Sequence, residues 1–327
     1  MSASMLELKN LSRDFRIGSM LWGKKIMAVD NVTLSLPGDE PWILSIVGES
    51  GSGKTTLGRM ILGLLAPSGG GMAIGGRDVS EVGGRWRRQD FYKDVQPIFQ
   101  NPFSAFNMHK KVDAYLFDTA RNVAGHTSRE SATAVITDTL KAIGMDFANI
   151  RGKYPNQFSG GELQRIAIAR ALIPKPKLIV ADEPVAMIDA SLRMNVVNLF
   201  KSLKEQYRTH FIYVTHDLST AYYVSDYLAV MYRGQFIEQG KARDILAKPS
   251  HPYTELLLDS IPKVGVKWDE NVALPDMEAK EYASVCCKFA PRCRYARDIC
   301  RQRQPGEVDL GGGHSASCFK LTDYKDK

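Results

Sequence analysis

Residues Gly48-Glu49-Ser50-Gly51-Ser52-Gly53-Lys54-Thr55 fit the pattern G-x-x-x-x-G-K-[ST]. Glycines at this spacing let backbone N–H groups turn inward around phosphate oxygens, and a following helix N-terminus adds partial positive charge. Lys54 then reaches the β- and γ-phosphates of a nucleoside triphosphate, and the Thr55 hydroxyl ligates Mg²⁺. Asp182 and Glu183 follow the apolar run Leu178-Ile179-Val180-Ala181. A carboxylate at the C-terminal end of a strand lies beside the phosphate loop in an open parallel sheet. There Asp182 would hold Mg²⁺, directly or through water, and Glu183 would polarise the attacking water. All five cysteines fall between Cys286 and Cys318. In an intracellular chain such crowding points to a metal or cluster site before it points to disulfides.

The elements that must carry these residues are legible in outline. Over 5–47, Leu6, Leu8, Leu11, Val29, Val32, Leu34 and Leu36 recur near period two and predict short strands. Ile43-Leu44-Ser45-Ile46-Val47 reads as a buried strand, and 54–65 (KTTLGRMILGLL) as a helix ended by Ala66-Pro67-Ser68-Gly69-Gly70-Gly71. The stretch 108–175 is mostly helical in pattern, with Val135, Ile136, Leu140 and Ile143 on one face. A third apolar run, Phe211-Ile212-Tyr213-Val214, completes the case for a parallel sheet covered on both faces. Residues 227–240 predict a hairpin turning at Arg233-Gly234, and 263–327 a small irregular tail that needs a staple.

Composition removes several classes. The 327 residues suit about two domains, and 44% hydrophobic with 24% charged residues excludes a disordered chain. A net charge of +7 fits contact with phosphates, nucleic acid or an anionic surface without choosing among them. No run approaches the roughly 18 apolar residues of a membrane span. The start, MSASMLELKN, has no signal-peptide core, so a cytoplasmic location is expected. The final DYKDK fits either natural sequence or the remnant of an epitope tag.

Phe158-Ser159-Gly160-Gly161-Glu162-Leu163-Gln164-Arg165 resembles the LSGGQ signature of ATP-binding-cassette (ABC) ATPases. The order of motifs is similar too. It runs from the phosphate loop to Gln100, the signature, Asp182-Glu183, Asp189 and His216. The resemblance covers about residues 5–260. It implies an α/β P-loop NTPase fold with a RecA-like core, an antiparallel β subdomain and a helical signature subdomain over about 108–175. ATP would meet Phe15 on adenine and Gly48, Ser50, Gly51, Ser52, Gly53, Lys54, Thr55, Thr56 and Gln100 on its phosphates and Mg²⁺. Ser159, Gly160, Gly161, Glu162 and Asp189 would face the ATP of a second cassette paired head to tail. Glu183, His216 and Gln100 would be the catalytic set, with His216 on the γ-phosphate. His109, His126, His210 and His314 read as surface histidines.

A narrower resemblance follows. His251-Pro252-Tyr253-Thr254-Glu255-Leu256-Leu257 and Ile261-Pro262 look like the HPYT segment of peptide/nickel-type importer ATPases. Cys287, Cys293, Cys300 and Cys318 look like the cysteine-bearing extension of that group, leaving Cys286 spare. This implies a [4Fe–4S] cluster held by those four; zinc and free or oxidised thiols are the alternatives. The implied boundaries are 1–262 for the ATP-binding domain and 263–327 for the extension. The implied work is to power import of oligopeptides or dipeptides from the cytoplasmic face of the cell membrane, as a peripheral subunit. Its partners would be a second ABC ATPase, two permease subunits touching Gln100–Asn107 and the helices beyond, and an extracytoplasmic binding protein. Nickel chelates and oligosaccharides are alternative cargoes.

A nucleic-acid ATPase would want a coiled coil, a tandem cassette or a basic arm, so no nucleic acid is expected. A clamp that binds ATP without hydrolysis conflicts with Glu183 and His216. Two positions depart from the family pattern: Glu162 replaces the usual glutamine, and Ala186-Met187-Ile188 precedes Asp189. Both predict that the two composite ATP sites are unequal.

Overall fold

The computed structural model describes residues 4–17, 24–260 and 285–322. The period-two leucines and valines form two long antiparallel strands, β1 (Ser4–Ile17) and β2 (Lys24–Pro37). The apolar run becomes β3 (Ile43–Val47), buried at every position, and feeds the phosphate loop and helix α1 (Lys54–Ile61). The helix is shorter than its pattern predicts. Its cap falls at Leu62, and Gly63 then takes a left-handed φ of 66°. The triple glycine expected to break the chain lies instead in β4 (Gly69–Ile74), where β1 supplies the ladder partners. Tertiary pairing overrides the poor intrinsic strand propensity of glycine there. With β5 (Arg77–Asp78), a four-stranded antiparallel sheet forms in the order β2-β1-β4-β5.

Helix α2 (Arg88–Asp94) and strand β6 (Val95–Ile98) lead to three helices, α3 (Val112–Asn122), α4 (Arg129–Ala142) and α5 (Gly160–Leu172). Val112, Leu116, Ala132, Ile136, Leu140, Leu163 and Ile166 close their common core. Ile143 joins them, while Val135 is only half-buried. The chain then alternates β7 (Leu178–Asp182), α6 (Ala190–Tyr207), β8 (His210–Thr215), α7 (Leu218–Val224) and β9 (Tyr227–Tyr232). Strand β10 (Gln235–Lys241) returns from the predicted Arg233-Gly234 turn, before α8 (Ala242–Ala247) and α9 (Pro252–Asp259).

The second sheet runs β9-β3-β8-β7-β6 in parallel. Its side chains alternate between two cores, as the strand period requires. Ile43, Phe211, Tyr213 and Ile179 face the helical side. Leu44, Ile46, Ile212, Val214 and Val180 face α1 and the antiparallel sheet.

The tail is more regular than expected. After the short helix α10 (Asp298–Gln302), the hairpin β11 (Val308–Gly311) and β12 (His314–Ala316) extends the main sheet, β12 pairing with β10. Unpaired ladder groups on β10 gain partners, which short polar segments cannot find alone. Phe289, 3% exposed, packs with Tyr232 and Tyr253 of the cassette. The boundary at 262/263, Ile261-Pro262 and the final DYKDK lie outside the described residues. Two histidines also depart from expectation. His210 is buried against Trp42, with ring centroids 4.7 Å apart. His314 Nε2 lies 2.8 Å from Glu238 Oε1, inside the seam between tail and cassette.

His251 caps α9, its Nδ1 accepting the Tyr253 N–H at 3.0 Å. Burial pushes the pKa of His251 down to about 3 and that of His210 down to about 4, from an ordinary value of 6.5. Both stay neutral in the fold while the unfolded chain protonates them below pH 6.5. Stability is therefore fully present above that pH and falls as pH drops toward 4. The slope approaches about 1.4 kcal/mol per pH unit for each histidine. Chemical denaturation at pH 7, 6 and 5 should show it. His251→Asn, which keeps an acceptor for the cap, should flatten the slope; an unchanged slope would contradict this account.

Candidate nucleotide site

The phosphate loop sits where the two sheets meet. Gly48 has φ +155°, and a Cβ there would lie 2.2 Å from the Met231 carbonyl oxygen. Gly53 has φ +107°, and its Cβ would lie 2.1 Å from that of Ala28. No other residue fits either position. The Lys54 side chain is buried inside the loop. Its Nζ donates to the carbonyl oxygens of Gly48 at 2.7 Å and Glu49 at 2.8 Å, and to Ser52 Oγ at 3.3 Å. Burial pulls its pKa down, and the charges of Glu183, Asp182 and Glu49 oppose that shift.

A cleft of about 710 Å³ opens above the loop. Ser50, Gly51, Gly53, Lys54, Thr55 and Thr56 form its floor. Gln100 enters just after β6, Glu183 after β7 and His216 after β8, so three neighbouring strand ends each deliver one polar side chain. Ile26 and Ala28 of β2 complete the wall. The Thr55 hydroxyl donates to Asp182 Oδ1 at 3.2 Å. Burial raises the Asp182 pKa, and that hydrogen bond works against the rise.

Glu183 is held on every side. Its φ of 45° is left-handed, a strained conformation for a non-glycine residue, and its N–H donates to the Val214 carbonyl at 2.8 Å. Gln100 Nε2 donates to one carboxylate oxygen at 3.1 Å, and His216 Nδ1 lies 2.9 Å from the other. The carboxylate thus points into the cleft with lone pairs left to accept a proton from water. Thr55 and Asp182 offer adjacent hard oxygens of the kind Mg²⁺ takes alongside phosphate oxygens. Bound there, Mg²⁺ would neutralise charge developing on the phosphate oxygens during transfer.

The signature lies apart from this cleft. Ser159 caps α5, and Glu162 closes a reciprocal capping box with it. Glu162 Oε2 accepts from Ser159 N–H at 2.8 Å and Ser159 Oγ at 2.7 Å, bonds that hold its pKa below the usual value. Glu162 therefore turns back onto its own helix. Gly160 lies beside the carbonyl of Met187, whose side chain is exposed. Asp189 is exposed at the start of α6, and Phe15 is exposed on β1 opposite Ile26, with Arg13 over its ring; neither lines the cleft.

Cys287, Cys293, Cys300 and Cys318 line one small cavity with His251, Phe289 and Phe319; Cys286 does not. Burial pushes the Cys287 thiol up to about 11 and raises Cys293 and Cys318 as well. Among the described residues, no three His, Cys, Asp or Glu side chains gather tightly enough to hold a metal ion. Sequence reasoning missed Ile26 and Ala28, which carry no chemical signal. It also passed over Arg292 and Tyr253, which contact the phosphate loop.

Replacing Glu183 by Gln is nearly isosteric, keeps an acceptor for Gln100 and removes the carboxylate expected to act as base. Hydrolysis should fall roughly 10²- to 10⁴-fold, the usual range for loss of a positioned base. Binding of a fluorescent ATP analogue should persist. Phosphate release measured beside analogue binding checks both, and wild-type hydrolysis in Glu183→Gln would remove Glu183 from the reaction.

Residues 29–186 match the family described as "ABC transporter", and 237–300 match "Oligopeptide/dipeptide transporter, C-terminal region". The chain is 34% identical to the oligopeptide transport ATP-binding protein AppF of Bacillus subtilis, covering 96% of this chain and 97% of that one. It is 33% identical to the di/tripeptide transport ATP-binding protein DppF of Pseudomonas aeruginosa, over 98% and 99% of the two chains. Among solved structures, the ATP-binding cassette MJ0796 in a post-hydrolysis dimer with ADP and Pi aligns with a TM-score of 0.63 at 27% identity. It covers 73% of this chain and 99% of that one. A phosphate loop with Lys54 and Thr55, Glu183 lining the cleft above it and whole-length likeness to these relatives agree: the chain belongs to the ABC transporter ATPases.

Proposed function

We propose that this chain is the ATP-hydrolysing subunit of an importer for oligopeptides or dipeptides. It works at the cytoplasmic face of the cell membrane as a peripheral protein. Glu183, held between Gln100 and His216 above Lys54, carries the hydrolytic part of this reading. The peptide part is supported by the C-terminal match and by relatives named for oligopeptide and di/tripeptide transport. In this reading two permease subunits supply the channel and receive cargo from a binding protein; among the described residues of this chain no helix is long and apolar enough to cross a membrane. The permease contact is assigned to Gln100–Asn107 and its surroundings, where Met108 and Tyr154 are exposed. The ATP-binding domain is taken as 1–262 and the extension as 263–327.

In this reading ATP rests on Lys54 and the loop N–H groups from Ser50 to Thr56, with adenine against Phe15. Thr55, Asp182 and Gln100 hold Mg²⁺. Ser159, Gly160, Gly161 and Asp189 meet the ATP of a second, different cassette. Glu162 ties up the Ser159 hydroxyl, which supports a weaker composite site at this chain's signature.

The reconstituted transporter, with its permeases and partner cassette, should take up a labelled oligopeptide and no oligosaccharide. Glu183→Gln in this chain should abolish that uptake, while the matching change in the partner leaves a measurable share. Equal losses would overturn the asymmetry, and sugar uptake in place of peptide uptake would overturn the cargo.

The four cavity-lining cysteines are assigned to a [4Fe–4S] cluster. Four soft thiols around one apolar pocket suit it. Zinc held by the same thiols is the alternative staple. The cluster would cross-link a tail too short for a core of its own. Protein purified without oxygen should carry about four irons and four sulfides per chain. One zinc, or no metal, would overturn the assignment.

A further inference from the structure

The extension reaches the phosphate loop itself. Arg292 ends the turn Ala290–Arg292, bracketed by Cys287 and Cys293. Its guanidinium grips Glu49 with two parallel bonds, Nη1 to Oε2 and Nη2 to Oε1, each 2.8 Å. Such a fork is the strongest and most directional form of ion pair. It is well shielded, with the Arg292 side chain 8% exposed and that of Glu49 24%. The rings of Tyr232 and Phe289 lie 5.9 and 5.8 Å from the guanidinium carbon.

Glu49 is the second residue of the phosphate loop, and every polar group it has is engaged. Its N–H donates to the Tyr253 hydroxyl at 3.0 Å. Its carbonyl accepts from Lys54 Nζ at 2.8 Å and from the Ser52 N–H at 3.1 Å. Its carboxylate belongs to Arg292. That negative charge sits beside the cleft-lining Ser50 and close enough to act on Lys54, where a triphosphate carrying several more would bind. Left unpaired, it would repel the nucleotide.

We propose that Arg292 is a positioning residue for the phosphate loop, acting through Glu49. By cancelling the carboxylate's charge it keeps the loop open to phosphates. The cysteine-bearing tail thereby tunes the ATP affinity of the cassette's own site. This rests on the reading that ATP binds at Lys54.

Binding of a fluorescent ATP analogue to the full-length chain and ATP KM and kcat of the assembled transporter test it together. If the wild-type chain binds no analogue, the nucleotide-site reading falls and this proposal with it. With binding established, Arg292→Gln should weaken it and raise KM on the order of tenfold, as one added like charge near a phosphate would. Its kcat should change little. Arg292→Lys, a point charge without the fork, should fall between. Adding Glu49→Gln to Arg292→Gln should restore affinity, and Glu49→Gln alone should bind more tightly than wild type, since the guanidinium charge is then unshared. A merely structural pair would behave oppositely, with Glu49→Gln as weak as Arg292→Gln and no rescue in the double variant. That pattern, or wild-type affinity in Arg292→Gln, overturns the proposal. Because Glu49→Gln leaves Arg292 in place, its sign decides the question even if Arg292→Gln does not fold.

Discussion

Gly48 and Gly53 have no room for a side chain because the carbonyls of Met231 and Ala28 press on them from two directions. Met231 belongs to β9 of the parallel sheet and Ala28 to β2 of the antiparallel one. The loop is thus the joint between the two sheets as well as the seat for phosphates. The Arg233-Gly234 turn reinforces it: Gly234 N–H donates to the Ser52 carbonyl, and Gly234 carbonyl accepts from Asp30 N–H, both at 2.8 Å. A loop fixed by backbone contacts presents its N–H groups without having to order them when nucleotide arrives, which is the economy of preorganisation.

Charge in the cleft follows from that packing. Carbonyl oxygens and one hydroxyl hold the Lys54 ammonium, and among the described residues no carboxylate stands within ion-pair distance of it. Its positive charge stays available to a phosphate. The three nearby carboxylates each have donors of their own: Thr55 for Asp182, Gln100 for Glu183 (with His216 Nδ1 also beside it), Arg292 for Glu49. Separate partners let like charges stand close together without collapsing onto the one lysine.

Much of this was legible in the sequence because it depends on short, contiguous patterns. The phosphate loop and the apolar run before Asp182 each carry their chemistry within a few residues. So does the hairpin, since Arg233 and Gly234 both take left-handed backbone, which the tight turn demands. What escaped depends on partners far away in the chain. The glycines of β4 read as a breaker, yet β1 makes them a strand. His210 read as a surface residue, yet Trp42 covers it. Arg292 sits among cysteines that drew the attention, and only the fold brings it 243 residues back to Glu49. The tail read as irregular because its strands are three and four residues long, too short for any periodicity to show.

The hairpin that β12 adds to β10 also decides how the eight-stranded sheet ends. Without it, β10 would offer seven residues of open backbone to any passing strand. With it, the outermost strand is the four-residue β11, three of its residues exposed and its exit through Gly311, Gly312 and Gly313. The opposite rim is β6, also four residues long, with Pro97 in place of a ladder donor. Both rims are thus poor templates for further strands. Besides bearing cysteines, the tail closes a sheet edge that would otherwise be open to edge-to-edge pairing with further copies of the chain.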